Sequence, residues 1–418
     1  MCDPASTVAE ADAGSPEVMR SATPGRYRMH DLIREHARTL AGRLDPDGDR
    51  DQATGRLLDY YQHTAARAEA LLARQDRTAP APAADTMPTA VPVLAGREEA
   101  LAWARAERTN LLACLDQATA TGQHARIIAL TAGLAGLLRH DGPWAEAITR
   151  HATAVQAARH RGDRLARADA LTNLGDVRRL AGDYPGAARA LQEALDIYRD
   201  IGDRPGQADA LTYLGAVQWA AGDYPAAARA LEEALDISRD LGDRLGQADA
   251  LTNLGGVRTV TGDYPAAARA LEDALGIHRG LGNRLGQADT LTNLGTVRQM
   301  AGNYPGAARD LEEALDISRD IGDRGGEVEA LNESGILSMA HGDLRQAGSC
   351  HQQALDLARQ IGSARNEAHA LAGLGRCALA VGRTAEAEAG LRQALAIFRR
   401  IGAAEAADLS VELEALSG

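Results

Sequence analysis

Apolar residues recur along this chain at intervals of three or four positions, the period of an α-helix. Two groups show this spacing between 164 and 203: Ala170, Leu174, Val177 and Ala181, then Ala187, Leu191, Ala194 and Tyr198. Between the groups, Gly182 suits a helix end, Asp183 suits an N-cap, and Pro185 suits a first helical turn. The pattern predicts two helices joined by a short turn.

This helix pair is repeated with a period of 40 residues. Segments 164–203, 204–243 and 244–283 align without insertion, and the alignment continues to 403. A diverged copy occupies 124–163, so seven units are expected over 124–403. One helix pair cannot bury its apolar face alone, and we therefore expect the units to stack on one another.

The conserved spacing within each unit resembles that of the tetratricopeptide repeat (TPR). The matching residues are Leu174-Gly175, Gly182-Asp183-Tyr184, Ala187, Leu191 and Ala194. This resemblance implies an all-α, right-handed superhelical solenoid, with 404–418 as a capping helix. The units depart from the family in being 40 residues long, where about 34 is usual, and in having Leu171 where the family favours Trp.

Unit 324–363 departs most from the others. Ser334 replaces the core Leu, and Leu344-Arg345 replaces Tyr-Pro. Two interpretations stay open: a decayed repeat, or a hinge or specialised binding unit.

The stretch RYRMHDLIREHARTLA (26–41) resembles the end of the winged-helix module of STAND-class regulators, the NB-ARC-like ATPases that include bacterial antibiotic regulatory proteins. In that family the His of Met-His-Asp lies near the ADP phosphates. The resemblance implies that Met29, His30 and Asp31 are a remnant nucleotide-sensor motif. We expect a disordered 1–24, a helical segment over 25–75 that ends the winged-helix-like module, a Pro/Ala-rich linker over 76–96 and a helical lead-in over 97–123.

Composition narrows the function further. The formal charge is -13, and all 45 basic residues are Arg. A Walker A loop needs Lys, so we expect no nucleotide hydrolysis, no cofactor and no enzymatic activity. The acidic charge disfavours binding of nucleic acid.

The first 25 residues lack a signal peptide, and no window reaches the ~18 apolar residues of a membrane span, so we expect a cytoplasmic protein. The four cysteines are scattered, so we expect no metal site.

In the TPR family the first helix of each unit lines a concave groove. The candidate groove residues here are Asp169, Asn173, Asp176, Asp209, Tyr213, Trp219, Asp249, Asn253, Asp289, Asn293 and Thr296. The Asn side chains could hold the backbone of an extended peptide, the Asp side chains would favour a basic partner, and Trp219 would anchor it. Alternatively, the Asn side chains have no ligand, the groove positions that differ between units, such as 176, simply tolerate change, and Trp219 packs between repeats.

The sequence therefore predicts a non-enzymatic TPR scaffold that binds a protein or peptide in its concave groove, as a sensor module related to STAND-type transcriptional regulators. The alternative is a truncated or split regulator whose nucleotide-binding and DNA-binding domains lie on another chain. Neither the ligand nor the oligomeric state follows from the sequence.

Overall fold

A computed structural model describes residues 31–72, 88, 91–141 and 143–417. Within these residues it contains nineteen α-helices, which confirms the all-α solenoid. The chain divides into two compact units, Met1–Tyr60 and Tyr61–Gly418. Helix α1 (Asp31–Leu44) belongs to the first, and α2 (Asp47–Leu72) continues from the first into the second. The domain bounds that the sequence suggested stay a prediction.

The first repeat unit, 124–163, has an interrupted first helix. After α3 (Arg97–Ala120), the unit contains α4 (His124–Gly133), α5 (Ala135–Asp141) and α6 (Trp144–Arg161). The break lies at Leu134, and the Glu69 carboxylate accepts a hydrogen bond of 2.8 Å from the backbone N–H of Gly136. An acidic side chain from α2 therefore satisfies an amide in the first turn of α5.

The six following units are regular helix pairs, and a last helix closes the array. Their helices are α7 (Arg164–Ala181), α8 (Tyr184–Ile201), α9 (Arg204–Ala220), α10 (Tyr224–Leu241), α11 (Arg244–Val260), α12 (Tyr264–Gly280), α13 (Arg284–Met300), α14 (Tyr304–Asp320), α15 (Arg324–Ala340), α16 (Leu344–Ile361), α17 (Ala364–Ala380), α18 (Thr384–Ile401) and α19 (Glu405–Ser417).

The turn between helices is set by a Gly-Asp pair. Gly182 has φ +83°, a left-handed conformation that favours glycine, and ends α7. The Asp183 carboxylate then accepts a hydrogen bond of 2.9 Å from the N–H of Gly186 and caps α8. The same arrangement, with Asp or Asn as the cap, occurs at the start of α9 to α14 and of α16, which explains their regular lengths.

In five of the units, a glycine of the first helix packs against a leucine of the second. A Cβ placed on Gly175 would lie 2.5 Å from Cγ of Leu191, so α7 and α8 approach each other too closely for any larger residue. The equivalent pairs are Gly215–Leu231, Gly255–Leu271, Gly295–Leu311 and Gly375–Leu391.

Unit 324–363 keeps both helices but has a polar core. His351 occupies the leucine position, is 1% exposed and lies against Gly335 and Gly373. Its Nδ1 is 3.2 Å from Oδ1 of Asn332, and burial lowers the pKa of His351 to about 4. Ser334 is therefore not the only polar substitution here. Whether the unit is decayed or a hinge stays a prediction.

Successive turns of the superhelix touch one another within Tyr61–Gly418. Helix α5 contacts α15, and α7 contacts α17. Helices α7 and α17 begin at Arg164 and Ala364, 200 residues apart, which is five units of 40. The N–H of Ala404 also donates a hydrogen bond of 3.2 Å to the carbonyl of Ala220 at the end of α9. One turn therefore takes about five units, and the solenoid winds tightly.

Candidate peptide-binding groove

The first helices lie on the inner side of the superhelix. Besides its partner within the unit, each contacts the first helix of the next unit, from α7–α9 through α15–α17. Because these helices crowd together, they line the concave face. The predicted groove residues from Asp169 to Thr296 are all on α7, α9, α11 and α13. We call the surface formed by these residues the groove.

Most groove aspartates already have partners within the chain. The Asp176 carboxylate pairs with Arg139 at 3.2 Å and with Arg179 at 2.8 Å. Asp169 accepts a hydrogen bond of 2.6 Å from the Tyr198 hydroxyl. These contacts balance or satisfy the carboxylates, so they contribute less attraction for a basic partner than the sequence alone suggested.

Two other aspartates are also enclosed. Asp209 is buried, and Asp249 lies 3.7 Å from Nε2 of the buried His278. Asp289 is half-buried, and its charge acts on Glu329. The preference for a basic partner stays a prediction.

Asn253 and Asn293 each use one side-chain donor for a local hydrogen bond. Nδ2 of Asn253 donates to the carbonyl of Asp249, and Nδ2 of Asn293 donates to the carbonyl of Asp289, both at 2.9 Å. This fixes each amide so that its oxygen is the acceptor left for a ligand N–H. Asn173 is half-buried on α7 at the equivalent position. Asn253 and Asn293 thus each present an acceptor oxygen, and the Asn ladder as a ligand site stays a prediction.

Trp219 and Asn293 come together on either side of a glycine. A Cβ on Gly256 would lie 3.3 Å from Cζ2 of Trp219 and 3.5 Å from Oδ1 of Asn293. The Arg365 guanidinium lies 5.7 Å from the centre of the Trp219 ring. Trp219 is therefore half-buried between repeats and also contacts a distant unit.

Tyr213 and Thr296 have partners on neighbouring elements. The Arg139 guanidinium lies 5.9 Å from the centre of the Tyr213 ring, and its Nη1 is 3.5 Å from the hydroxyl. The Thr296 hydroxyl lies 3.0 Å from the Glu333 carboxylate. Glu333 occupies the position of Asn293 in the next unit.

Glu329 is a groove residue that the sequence reasoning missed. It continues the aspartate row, 40 residues after Asp289, and following the row one unit further would have found it. Its side chain is exposed to water inside the superhelix, yet desolvation by the surrounding protein and the charge of Asp289 raise its pKa to about 7. The raised pKa lowers the negative charge that Glu329 contributes to this part of the groove.

The remnant motif lies mostly outside the described residues. Met29 and His30 are not described, and Asp31 begins α1.

Among the residues that are described, no group of three or more His, Cys, Asp or Glu could hold a metal ion. No helix in the described part is long and apolar enough to cross a membrane. Cys114, Cys350 and Cys377 are buried free thiols.

The stacked pairs and their inner face define a helical-repeat scaffold. The tetratricopeptide repeat profile matches residues 126–200, 190–240, 246–320 and 327–400. These matches cover more than half of the chain, and the chain belongs to the tetratricopeptide repeat family.

Two curated relatives share part of this sequence. The regulatory protein AfsR of Streptomyces griseus is 35% identical over 183 residues, 43% of this chain. AfsR of Streptomyces coelicolor is 40% identical over 119 residues, 27% of this chain. The matched parts make up only 18% and 12% of those relatives.

Solved structures share the fold. A Rap conjugation gene regulator in complex with the Phr* peptide has a TM-score of 0.57 at 14% identity, covering 84% of this chain and 96% of that one. A Rap protein complexed with competence and sporulation factor has a TM-score of 0.53 at 15% identity, covering 77% and 98%. At this identity the likeness concerns the fold alone.

Proposed function

We propose that this chain is a cytoplasmic, non-enzymatic TPR scaffold that binds an extended protein or peptide segment in its groove, as the sensor module of a regulator related to the STAND class. The observation that carries the proposal is the pair of asparagines at equivalent positions of α11 and α13, with their amide nitrogens held by the backbone and their oxygens directed by those bonds. Such acceptors contact a peptide backbone whatever its side chains.

The partial identity to AfsR regulators and the Met-His-Asp stretch support the regulatory part of the proposal. A Rap conjugation gene regulator with this fold was solved in complex with the Phr* peptide, and this supports a peptide as the ligand proposed here. The negative charge of Asp289 supports the proposed preference for a basic segment, and Glu329 on the adjacent first helix adds negative charge above neutral pH.

The test is to select binders from a random peptide library on the whole chain and to titrate them by calorimetry. Asn253→Ala and Asn293→Ala should each weaken binding by about 0.5–1.5 kcal/mol, the value of one hydrogen bond. Asp289→Asn should weaken binding of a basic peptide more at low salt than at high salt. Exposed Arg269→Ala and Glu232→Ala, on the second helices α12 and α10, are the matched controls. Binding lost in the controls and kept in both Asn variants would place the partner on the convex face.

A second measurement tests the non-enzymatic part. Because the chain contains no lysine, it cannot supply the phosphate-binding Lys of a Walker A loop, and we expect neither ATP turnover nor ADP binding tighter than about millimolar. Micromolar ADP affinity that disappears in His30→Ala would contradict this expectation.

A further inference from the structure

The last unit contacts the ends of two first helices that lie one superhelical turn earlier. A Cβ on Gly182 would be 2.9 Å from Cγ2 of Ile401, and a Cβ on Gly222 would be 3.0 Å from Cβ of Ala404. The hydrogen bond from Ala404 to Ala220 lies at the same place. Ile401 and Ala404 therefore pack directly against the backbone at the ends of α7 and α9, and we call this contact the seat.

This contact is specific to those two glycines. Gly262 and Gly302, at the ends of α11 and α13, have φ values of +86° and +79° like those of Gly182 and Gly222, but nothing lies within 4 Å of their Cβ positions. The backbone conformation is thus the same at all four glycines. Of these four, only Gly182 and Gly222 contact the following turn of the superhelix.

A polar contact accompanies the backbone seat. Arg365 at the start of α17 covers the Trp219 ring at 5.7 Å, and Glu405 holds the Arg365 guanidinium at 2.6 Å. The nearby hydroxyl of Tyr184, a 2% exposed side chain of α8, has no hydrogen-bond partner in the described structure and lies in the field of both charges. Arg365 interrupts the repeat pattern, because the other regular units have Leu, Pro or Gly at this position.

We propose that this contact between turns is a latch: when Arg365 and Ala404 are seated on Trp219, Ala220 and Gly222, the last unit closes the groove, and when they leave, Trp219 becomes accessible. Among the described residues, the seat includes one backbone hydrogen bond, one cation–π contact and two glycine contacts, beside the limited packing of α17 on α7, and such a contact can open locally while the helix pairs stay folded. This inference concerns the chain alone and holds whichever partner the groove takes.

The experiment compares two latch variants with their matched controls. Gly222→Gln introduces a side chain into the seat, whereas Gly262→Gln imposes the same left-handed strain in open space. Arg365→Ala removes the cation, whereas Arg359→Ala removes a guanidinium that pairs at 2.9 Å with Glu367 at the local turn between α16 and α17. Hydrogen exchange at the Ala404 amide and small-angle scattering of the whole chain are measured on all four.

We expect about tenfold faster exchange at Ala404 and a larger radius of gyration in Gly222→Gln and Arg365→Ala than in their controls. Helical circular dichroism confirms that each variant is folded. If both latch variants match their controls in exchange and in radius of gyration, the contact does not govern the opening of the groove, and the proposal is wrong.

Discussion

At the residue scale, the consequential departure from the repeat is His351. The second helices of the neighbouring regular units have a buried Leu here, and the histidine ring takes that volume with its Nδ1 facing Asn332 and its Nε2 without a partner in the described structure. The mismatch of Ser334 could be read from the sequence. The effect of His351 on stability could not be predicted from the sequence, because it depends on whether the ring is exposed to water in the folded chain.

The burial of His351 predicts acid sensitivity. In the unfolded chain a His titrates near 6.5, whereas in the fold its pKa is about 4. As pH falls from about 6.5 to about 4 the unfolded state takes up the proton first, so stability is lost across that window. Between pH 7 and pH 5, the free energy of unfolding of His351→Leu, measured with urea, should therefore fall by about 1–2 kcal/mol less than that of the natural chain.

Leu311→Val is the matched control, since it perturbs the same position of the preceding unit without a titrating group and should destabilise equally at both pH values. Some acid sensitivity will remain in His351→Leu, because the pKa of buried His151 is also lowered to about 4. An unchanged pH dependence in His351→Leu would contradict the assignment.

At the element scale, helix boundaries and pairing followed from the sequence because they depend on local signals. Gly-Asp turns and Pro at the first turn set the helix ends, and the apolar period set the buried face. The break of the first helix at Leu134 could not be predicted, because it depends on Glu69, which lies 67 residues from Gly136.

The glycine-on-leucine contact inside each pair gives a second prediction. Gly255→Ala would place a Cβ 2.5 Å from Cγ of Leu271 and should cost about 1–3 kcal/mol of stability by forcing α11 and α12 apart. Gly276→Ala, in the middle of α12 with nothing within 4 Å, should instead stabilise by about 0.5–1 kcal/mol. Thermal unfolding of the two variants provides the comparison, and equal effects would refute the packing account.

At the scale of the whole molecule, stability should be uneven along the array. Each unit is held mainly by its neighbours, and unit 324–363 combines Ser334 with the buried His351–Asn332 pair. Native-state hydrogen exchange should show faster opening over 324–363 than over 244–283. Equal protection in the two units would count against a weak point.

The positions of the groove residues could be predicted from the sequence, but their partners could not. The family pattern placed the Asn and Asp rows on the inner helices, because helical period fixes a face. It could not show that Arg139 pairs with Asp176, or that Arg365 covers Trp219, since these two partners come from other units through the packing of the superhelix.

The five-unit turn also constrains how the array could change in length. In a loosely wound solenoid an extra repeat inserted in the middle leaves all existing contacts in place. Here α7 touches α17, so the inserted repeat would present α15, and not α17, to α7. Arg365 would then no longer meet Trp219. Gain or loss of a central repeat by recombination between the near-identical units at 204–243 and 244–283 would thus be felt at the far end of the protein, and the present number of repeats is matched to the side chains that meet across the turn.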